Sequence, residues 1–443
     1  MEGASAADAS SRSQTLGSAR RPPKPAPALP LCHLPRGTKT LPPGARHGLI
    51  ARRAPTPAEL TPGIAAAFAR ESYRRGETAT VTVAHEVGGL RLQLFRSGPE
   101  ARRTTGNVTM NGIAVTPKRW LGSRRAGGTF RVKVGAWPSG LYFARLRGSD
   151  GRVGFAPFVV RPTALGEHDV AVVLPTLTWQ AYNLRNEDGD GTGDSWYADW
   201  SRRTIRLGRP YLNRGVPSGF RRYDLTFLRW LAQHGPAADV LSQSDLEAAP
   251  GPRALERAYD LIVFPGHHEY VTKREYDLIE GYRNRGGNLM FLSADNFFWR
   301  VVRRGGFMRK TQAWRQLGRP EAALIGVQYR ASSKPAPGGV WIVRPSRANS
   351  WIFAGTGLHV GSRFGAGGIE IDSTASSSPP GIELVAEIPN ALGRGKTAQM
   401  TYYETPGGAR VFAAGAFYFT RLVDVRPLMS RVLENLWRHL ALG

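Results

Sequence analysis

Residues 259–302 read YDLIVFPGHHEYVTKREYDLIEGYRNRGGNLMFLSADNFFWRVV. Two apolar runs stand out, 261–264 and 289–292. Each is short and bounded by polar or turn residues, the pattern of a strand buried on both faces. Between them Tyr276, Ile279 and Tyr282 recur at three-residue steps, which predicts a helix over 272–285. Gly286-Gly287 then stops it, because glycine readily takes the left-handed conformation that closes a helix. A strand–helix–strand unit predicts parallel neighbours, hence a parallel sheet. Open parallel sheets bind ligands beyond the carboxyl ends of their strands. Here those ends are Gly266-His267-His268-Glu269-Tyr270 and Ser293-Ala294-Asp295-Asn296, both dense in groups that ligate, donate or accept.

Upstream, residues 170–174 form another apolar run, and Leu225, Leu228 and Leu231 mark a helix over 223–234 that ends at Gly235. Downstream, 397–403 and 410–417 read as a hairpin around Pro406-Gly-Gly408, and 428–440 as a terminal helix. Residues 68–162 carry short alternating segments, 79–84, 90–95, 129–134, 141–146 and 152–160, with turn signals between them. These predict an immunoglobulin-like β-sandwich over 63–163. The first 62 residues, rich in Ala, Pro, Ser, Gly and Arg without periodicity, are expected to be a disordered tail. The remainder, 164–443, is the expected α/β domain.

The chain has 443 residues and a formal net charge of +26. Such an excess often marks a nucleic-acid partner. Here the arginines are spread along the whole chain, and no helix-turn-helix, zinc-finger or RNA-binding signature accompanies them, so no nucleic-acid partner is expected. The single cysteine, Cys32, leaves no intrachain disulfide and no cysteine-cluster metal site. No apolar run is long enough to span a membrane. The start lacks the apolar region of a secretory signal, so the chain as written is expected to be cytoplasmic; a misassigned start codon would allow secretion.

Several chemistries lack their residues. No G-x-S-x-G elbow follows a strand, and no cysteine stands at a strand end. Walker and G-x-G-x-x-G fingerprints are missing at strand–helix junctions. NEDGDGTGD, residues 186–194, has the composition of a calcium loop but Asp199 at the twelfth position, and reads better as a solvated turn. Adjacent histidines on extended backbone point in different directions, so His267 and His268 are not expected to share one metal. Glu269, between them and Tyr270, is the functional candidate. Tyr182, Tyr197, Tyr211 and Tyr270 cluster near the same strand ends, and Tyr182 and Tyr197 flank the glycine-rich loop.

The segments LPTLTWQAYN, GDSWY, GRPY, FPGHHEY and GGNLMFLSADNFFWRV resemble the large-subunit core of N,N-dimethylformamidase, and SGLYFARLRGSDGRVGFAPFVVRP is similar to the domain before it. The resemblance implies a class I glutamine-amidotransferase-like (flavodoxin-like) α/β domain without a thiol nucleophile. It also implies a mononuclear iron held by two tyrosinates and a glutamate. Glu269 of HHEY falls on the glutamate, where the family has His-Pro-Glu-Tyr, Tyr182 of QAYN on the first tyrosine, and Tyr197 of GDSWY on the second, with Tyr211 as its rival. Asp295 stands where the dimethylformamidase has asparagine, and Glu370 of GGIEID matches an acidic position near the site. Phenolate and carboxylate oxygens suit ferric iron. The expected activity is hydrolysis of a small-molecule amide, with His267 or Glu370 moving protons and Asp295 or Asn296 holding the carbonyl. A second copy or a small subunit is the expected partner. The competing expectation is a non-catalytic binding protein that uses the same domain as a scaffold.

Overall fold

The computed structural model describes residues 63–124, 127–333 and 338–441. The expected tail, 1–62 with Cys32, lies outside the described residues. Near the start, Thr78–Val83 buries Ala79, Val81 and Val83 and turns its threonines outward, the period-two pattern of a strand with one wet face. It lies between Ala66–Phe68 and Gly128–Lys133 in an antiparallel three-stranded sheet. A six-stranded sheet built on Val87–Arg96, Gly140–Arg147 and Val153–Arg161 shares a core with it. Phe68 of the first sheet meets Phe158 of the second with ring centroids 4.4 Å apart.

The strand–helix–strand unit of the sequence is present. Leu261–Phe264 and Asn288–Phe291 pair in parallel, with the helix Lys273–Arg283 between them. Thr272 starts that helix by accepting the amide of Glu275 at 3.1 Å. Val170–Leu174 joins the other side of Leu261–Phe264, followed by Asp239–Ser242, and Arg410–Ala413 pairs with Asn288–Phe291, all in parallel. Side chains alternate between two cores. Val170, Val172 and Leu174 meet the helices Leu225–His234 and Pro427–Ala441, while Ala171 and Val173 meet Lys273–Arg283. At the sheet's edge Ser139 serves the outer strand: Val240 N donates to Ser139 Oγ at 2.8 Å, and that hydroxyl lies 3.3 Å from Val240 O.

The fold class itself is a correction. The sequence predicts a glutamine-amidotransferase-like, flavodoxin-like α/β domain with a parallel sheet, whereas the chain is mostly β, 35% strand against 20% helix, around an eleven-stranded sheet. A flavodoxin-like sheet alternates strand and helix throughout. Beyond Phe298 this chain pairs strands antiparallel through short turns instead, Trp299–Arg304 with Phe307–Ala313 and Ala398–Glu404 with Arg410–Ala413. Glu383–Ile388, Gly339–Val343, Arg363–Ser373 and Gln328–Ser332 extend the large sheet antiparallel. Among the described residues no helix is long and apolar enough to cross a membrane.

Candidate metal centre

The loop after Leu261–Phe264 passes a buried carboxyl so closely that a Cβ on Gly266 would lie 2.1 Å from Asp224 Oδ1. Any side chain there would have to push the buried Asp224 carboxyl aside. Beyond it, His267, His268 and Glu269 are all buried. The two histidines diverge, as extended backbone requires. His268 packs edge-on against Phe264, its Nδ1 lies 3.3 Å from Gly266 O, and burial lowers its pKa to about 3, so it is neutral. His267 turns toward Glu269.

Tyr182 sits at the end of the helix Thr176–Ala181. Tyr197 is brought back to it by Ser195, whose Oγ donates to Ala181 O at 2.6 Å and accepts the Tyr197 amide at 3.1 Å. The two phenol rings stack with centroids 4.1 Å apart. The acidic loop between them faces a cation of the chain itself: Arg202 reaches Asp194 at 2.7 Å and Asp188 at 3.2 Å.

Three oxygens converge here. Tyr182 Oη lies 2.9 Å from Glu269 Oε2, Tyr197 Oη lies 2.5 Å from the same atom, and the two phenol oxygens are 2.6 Å apart. Two phenol protons can serve only two of these three contacts. The third is left as a lone-pair contact, which a cation among the oxygens would relieve. An all-oxygen set of phenols and carboxylate suits a hard, ferric-type ion. The residues present therefore fit the metal that the resemblance implies.

Burial, and then the charge of Glu269, pushes both phenols well above their ordinary range, and a hard cation reverses that effect. Burial alone would raise Glu269, but the hydrogen bond and charge of His267 and the hydrogen bonds from Tyr197 and Tyr182 outweigh it and hold the carboxyl low. Burial also works against charge on His267, and its hydrogen bond to Glu269 with the Glu370 and Glu269 charges overcomes it, so its pKa rises. His267 Nε2 is 3.0 Å from Tyr182 Oη, 3.2 Å from Glu269 Oε2 and 3.7 Å from Glu370 Oε2, while Nδ1 is 3.1 Å from Ala294 O.

The other sequence candidates divide. His267, Asp295 and Glu370 offer ligand atoms within 4.8 Å of one another, a second set able to hold a cation beside the first. Asp295 Oδ1 is buried without a hydrogen-bond partner. Asn296 turns its Oδ1 to the His268 amide at 3.0 Å. Tyr211 packs edge-on to Trp179 and has no hydrogen bond to the phenol cluster among the described contacts. Three neighbours went unread in the sequence. Asp224 precedes the helix Leu225–His234 and accepts Trp179 Nε1 at 3.0 Å. Asp372 accepts the Asp295 amide at 2.9 Å. Lys310 places its ammonium 3.6 Å from the Trp200 ring centroid and 4.6 Å from that of Trp299. Asp372 lies within the quoted GGIEID; the other two reach the site only through tertiary pairing. A cavity of about 820 Å³ opens above Tyr182, His267 and Glu370.

Comparison with known proteins bears on this arrangement. The N,N-dimethylformamidase beta subunits of Alcaligenes sp and Paracoccus aminophilus are each 34% identical to the chain over 123 residues, 27% of this chain and 16% of theirs. The chain thus matches only a small part of the length of these relatives. Among solved structures, a superoxide reductase (neelaredoxin) T24K from Ignicoccus hospitalis overlays with a TM-score of 0.16 and 14% identity, covering 23% of this chain and 82% of that one. The sulfur carrier protein SoxY from Chlorobium limicola f thiosulfatophilum gives 0.15 and 16%, covering 23% and 86%. Overlays this slight carry no argument. The family model described as N,N-dimethylformamidase beta subunit-like, C-terminal, matches residues 127–428 and takes in every residue of the phenol–carboxylate cluster, and the chain belongs to that family.

Proposed function

We propose that the chain is a metal-dependent hydrolase of a small C–N bond, most directly an amide, with Tyr182, Tyr197 and Glu269 holding a mononuclear iron. The observation that carries the reading is the meeting of three hard oxygens within 2.5–2.9 Å of one another in a buried pocket. Family membership and the relatives' name as a dimethylformamidase support it. A hard cation supplies Lewis acidity toward an amide carbonyl and makes water acidic enough to attack near neutral pH. The protein groups do the rest. His267 is fixed by Ala294 O at Nδ1, so Nε2 can take or return a proton beside Glu269. Asp295 Oδ1, without a protein partner, is placed to hold the substrate's carbonyl or amide nitrogen. Glu370 stands within reach of His267 to pass a proton toward the leaving amine. The relatives' name as beta subunits supports a partner chain, a small subunit or a second copy.

Metal analysis, a visible spectrum and a panel of small amides test this on the purified protein. The expected result is one iron per chain, a tyrosinate-to-iron charge-transfer band, and amide cleavage. Tyr197→Phe is expected to weaken or shift that band and to reduce turnover by more than the ~10–100-fold typical of groups outside the ligand set. A colourless protein that neither takes up iron nor cleaves any amide leaves the binding-scaffold reading in its place. Iron without the band moves the metal to His267, Asp295 and Glu370.

A further inference from the structure

We infer that the substrate of this site carries an anionic group, carboxylate or phosphate, on an apolar body, and that Arg222 and Arg421 hold the anion at the cavity mouth. That the bound molecule is also cleaved rests on the hydrolase reading above; the binding preference does not. The cavity, about 820 Å³, has the size range of pockets that enclose drug-sized ligands, ~300–1,000 Å³, far more than a three-carbon amide fills. Its polarity runs in one direction. The floor carries Tyr182, His267 and Glu370, with Asp224 in the wall. The wall above is aromatic: Phe417 packs on His267 at 4.7 Å and on Tyr223 at 4.8 Å between centroids.

The mouth is basic. Arg222 and Arg421 come from segments about two hundred residues apart and both line the opening. Both are exposed, and among the described residues neither is ion-paired with a carboxylate. Asp424, which follows Arg421 closely in the chain, pairs instead with Arg229 at 2.9 Å and Arg103 at 3.4 Å. Arg421 lies over the ring of Tyr418, another lining residue, at 5.1 Å. The guanidiniums crowd: after its own burial, the charges of Arg222, Arg103 and Arg421 lower the pKa of neighbouring Arg221. Guanidinium forks match the planar oxygens of carboxylate and phosphate. Glu370 at the floor disfavours an anion there while the arginines at the mouth favour one, so a molecule with one charged end enters with its neutral amide downward and its charge at the mouth.

The test compares 4-(2-formamidoethyl)benzoate with N-formyl-4-nitrophenethylamine, its neutral isostere with nitro in place of carboxylate, and with N-formyltyramine phosphate. Binding is followed by calorimetry and cleavage by amine release, on the metal-loaded protein and its R222Q/R421Q variant. The acid or the phosphate is expected to bind at least ~10-fold tighter than the isostere, a preference that falls with salt and largely disappears in the double variant. R421Q alone repeats the comparison should the double variant fold poorly. Whichever anion is preferred identifies the carboxylate or phosphate source. Equal binding of all three, binding of none, or a preference untouched by the substitutions overturns the inference. Anion-selective binding without any cleavage keeps it and removes the hydrolase reading. Cleavage of the isostere as fast and as tightly bound as the acid does the reverse.

Discussion

Two loops leave neighbouring parallel strands at the same edge of the sheet, and each carries one acid into the site. Glu269, after Leu261–Phe264, meets two phenols and a histidine, and these donors hold it ionised against burial. Asp295, after Asn288–Phe291, is pushed well above the ordinary range by burial and by the charges of Glu269, Glu370 and Asp372. One environment is lined with donors and the other with acids, so two carboxyls facing one site suit opposite tasks. An ionised acid can ligate a cation, while a neutral one can donate to a substrate oxygen. Backbone reinforces the split, because Asp295 has φ +52°, a left-handed conformation that aims it inward and lets its amide bind Asp372.

The contrast breaks most visibly by neutralising each acid. Glu269→Gln is expected to lose its iron and at least ~100-fold in amide turnover, beyond what groups outside the ligand set account for. Asp295→Asn is expected to keep its iron and lose no more than that ~10–100-fold. Metal analysis of the two purified variants checks this; iron kept in Glu269→Gln and lost in Asp295→Asn would invert the assignment.

A third buried acid sharpens the point through pH. Burial raises Asp224 to about 7, opposed by the Trp179 hydrogen bond and the charge of His267. Its native pKa lies above the ~3.9 of an unfolded aspartate. Between those values the unfolded chain releases a proton that the native state keeps. Stability therefore falls as pH rises from ~4 to ~7, by on the order of 4 kcal/mol at most, and the loss is complete above that window. Asp224→Asn should flatten this slope, so thermal melts from about pH 5 to pH 8 should diverge, with the variant the more stable at the alkaline end. Parallel curves would show that Asp224 is ionised in both states.

The smallest effect concerns how the first loop is anchored. Thr272 accepts the Glu275 amide and donates to Glu247 at 2.9 Å. Thr272→Ala should lower unfolding free energy by ~1 kcal/mol, the usual loss for an N-cap, with iron content intact. Denaturant titration measures it. Loss of iron in this variant would mean that the helix start, and not the phenol cluster, sets the geometry of Glu269.

What the sequence reveals is what is local. The apolar run 261–264, the three-residue steps through Tyr276, and the polar strand ends with Glu269 all declare themselves within one window, and the structure places them together. The antiparallel half of the large sheet does not. Arg363–Ser373 contains three glycines and pairs with strands on either side through register shifts, so no simple alternation marks it. Its partners lie tens of residues away, and tertiary pairing overrides local preference there. The parallel start therefore predicts a parallel fold that the second half does not follow. Asp224, Arg222 and Lys310 were unreadable for the same reason, since their neighbourhood is made by chain segments that no spacing connects. Glu370 emerged only through the family resemblance, and the strand that presents it is the one the pattern left obscure.

The hydroxyl of Ser139 at Val240 has a meaning for solubility. Among the described residues the Asp239–Ser242 strand pairs with a strand on one side only, and a bare strand edge is a template for pairing with another copy. Ser139 accepts the outward amide of Val240 there and donates to Val160 O at 3.0 Å, so the neighbouring sheet acts as a stopper on the large one. Removing residues 63–163 would uncover this edge, and the remaining part of the chain would then meet other molecules with an open, self-complementary rim.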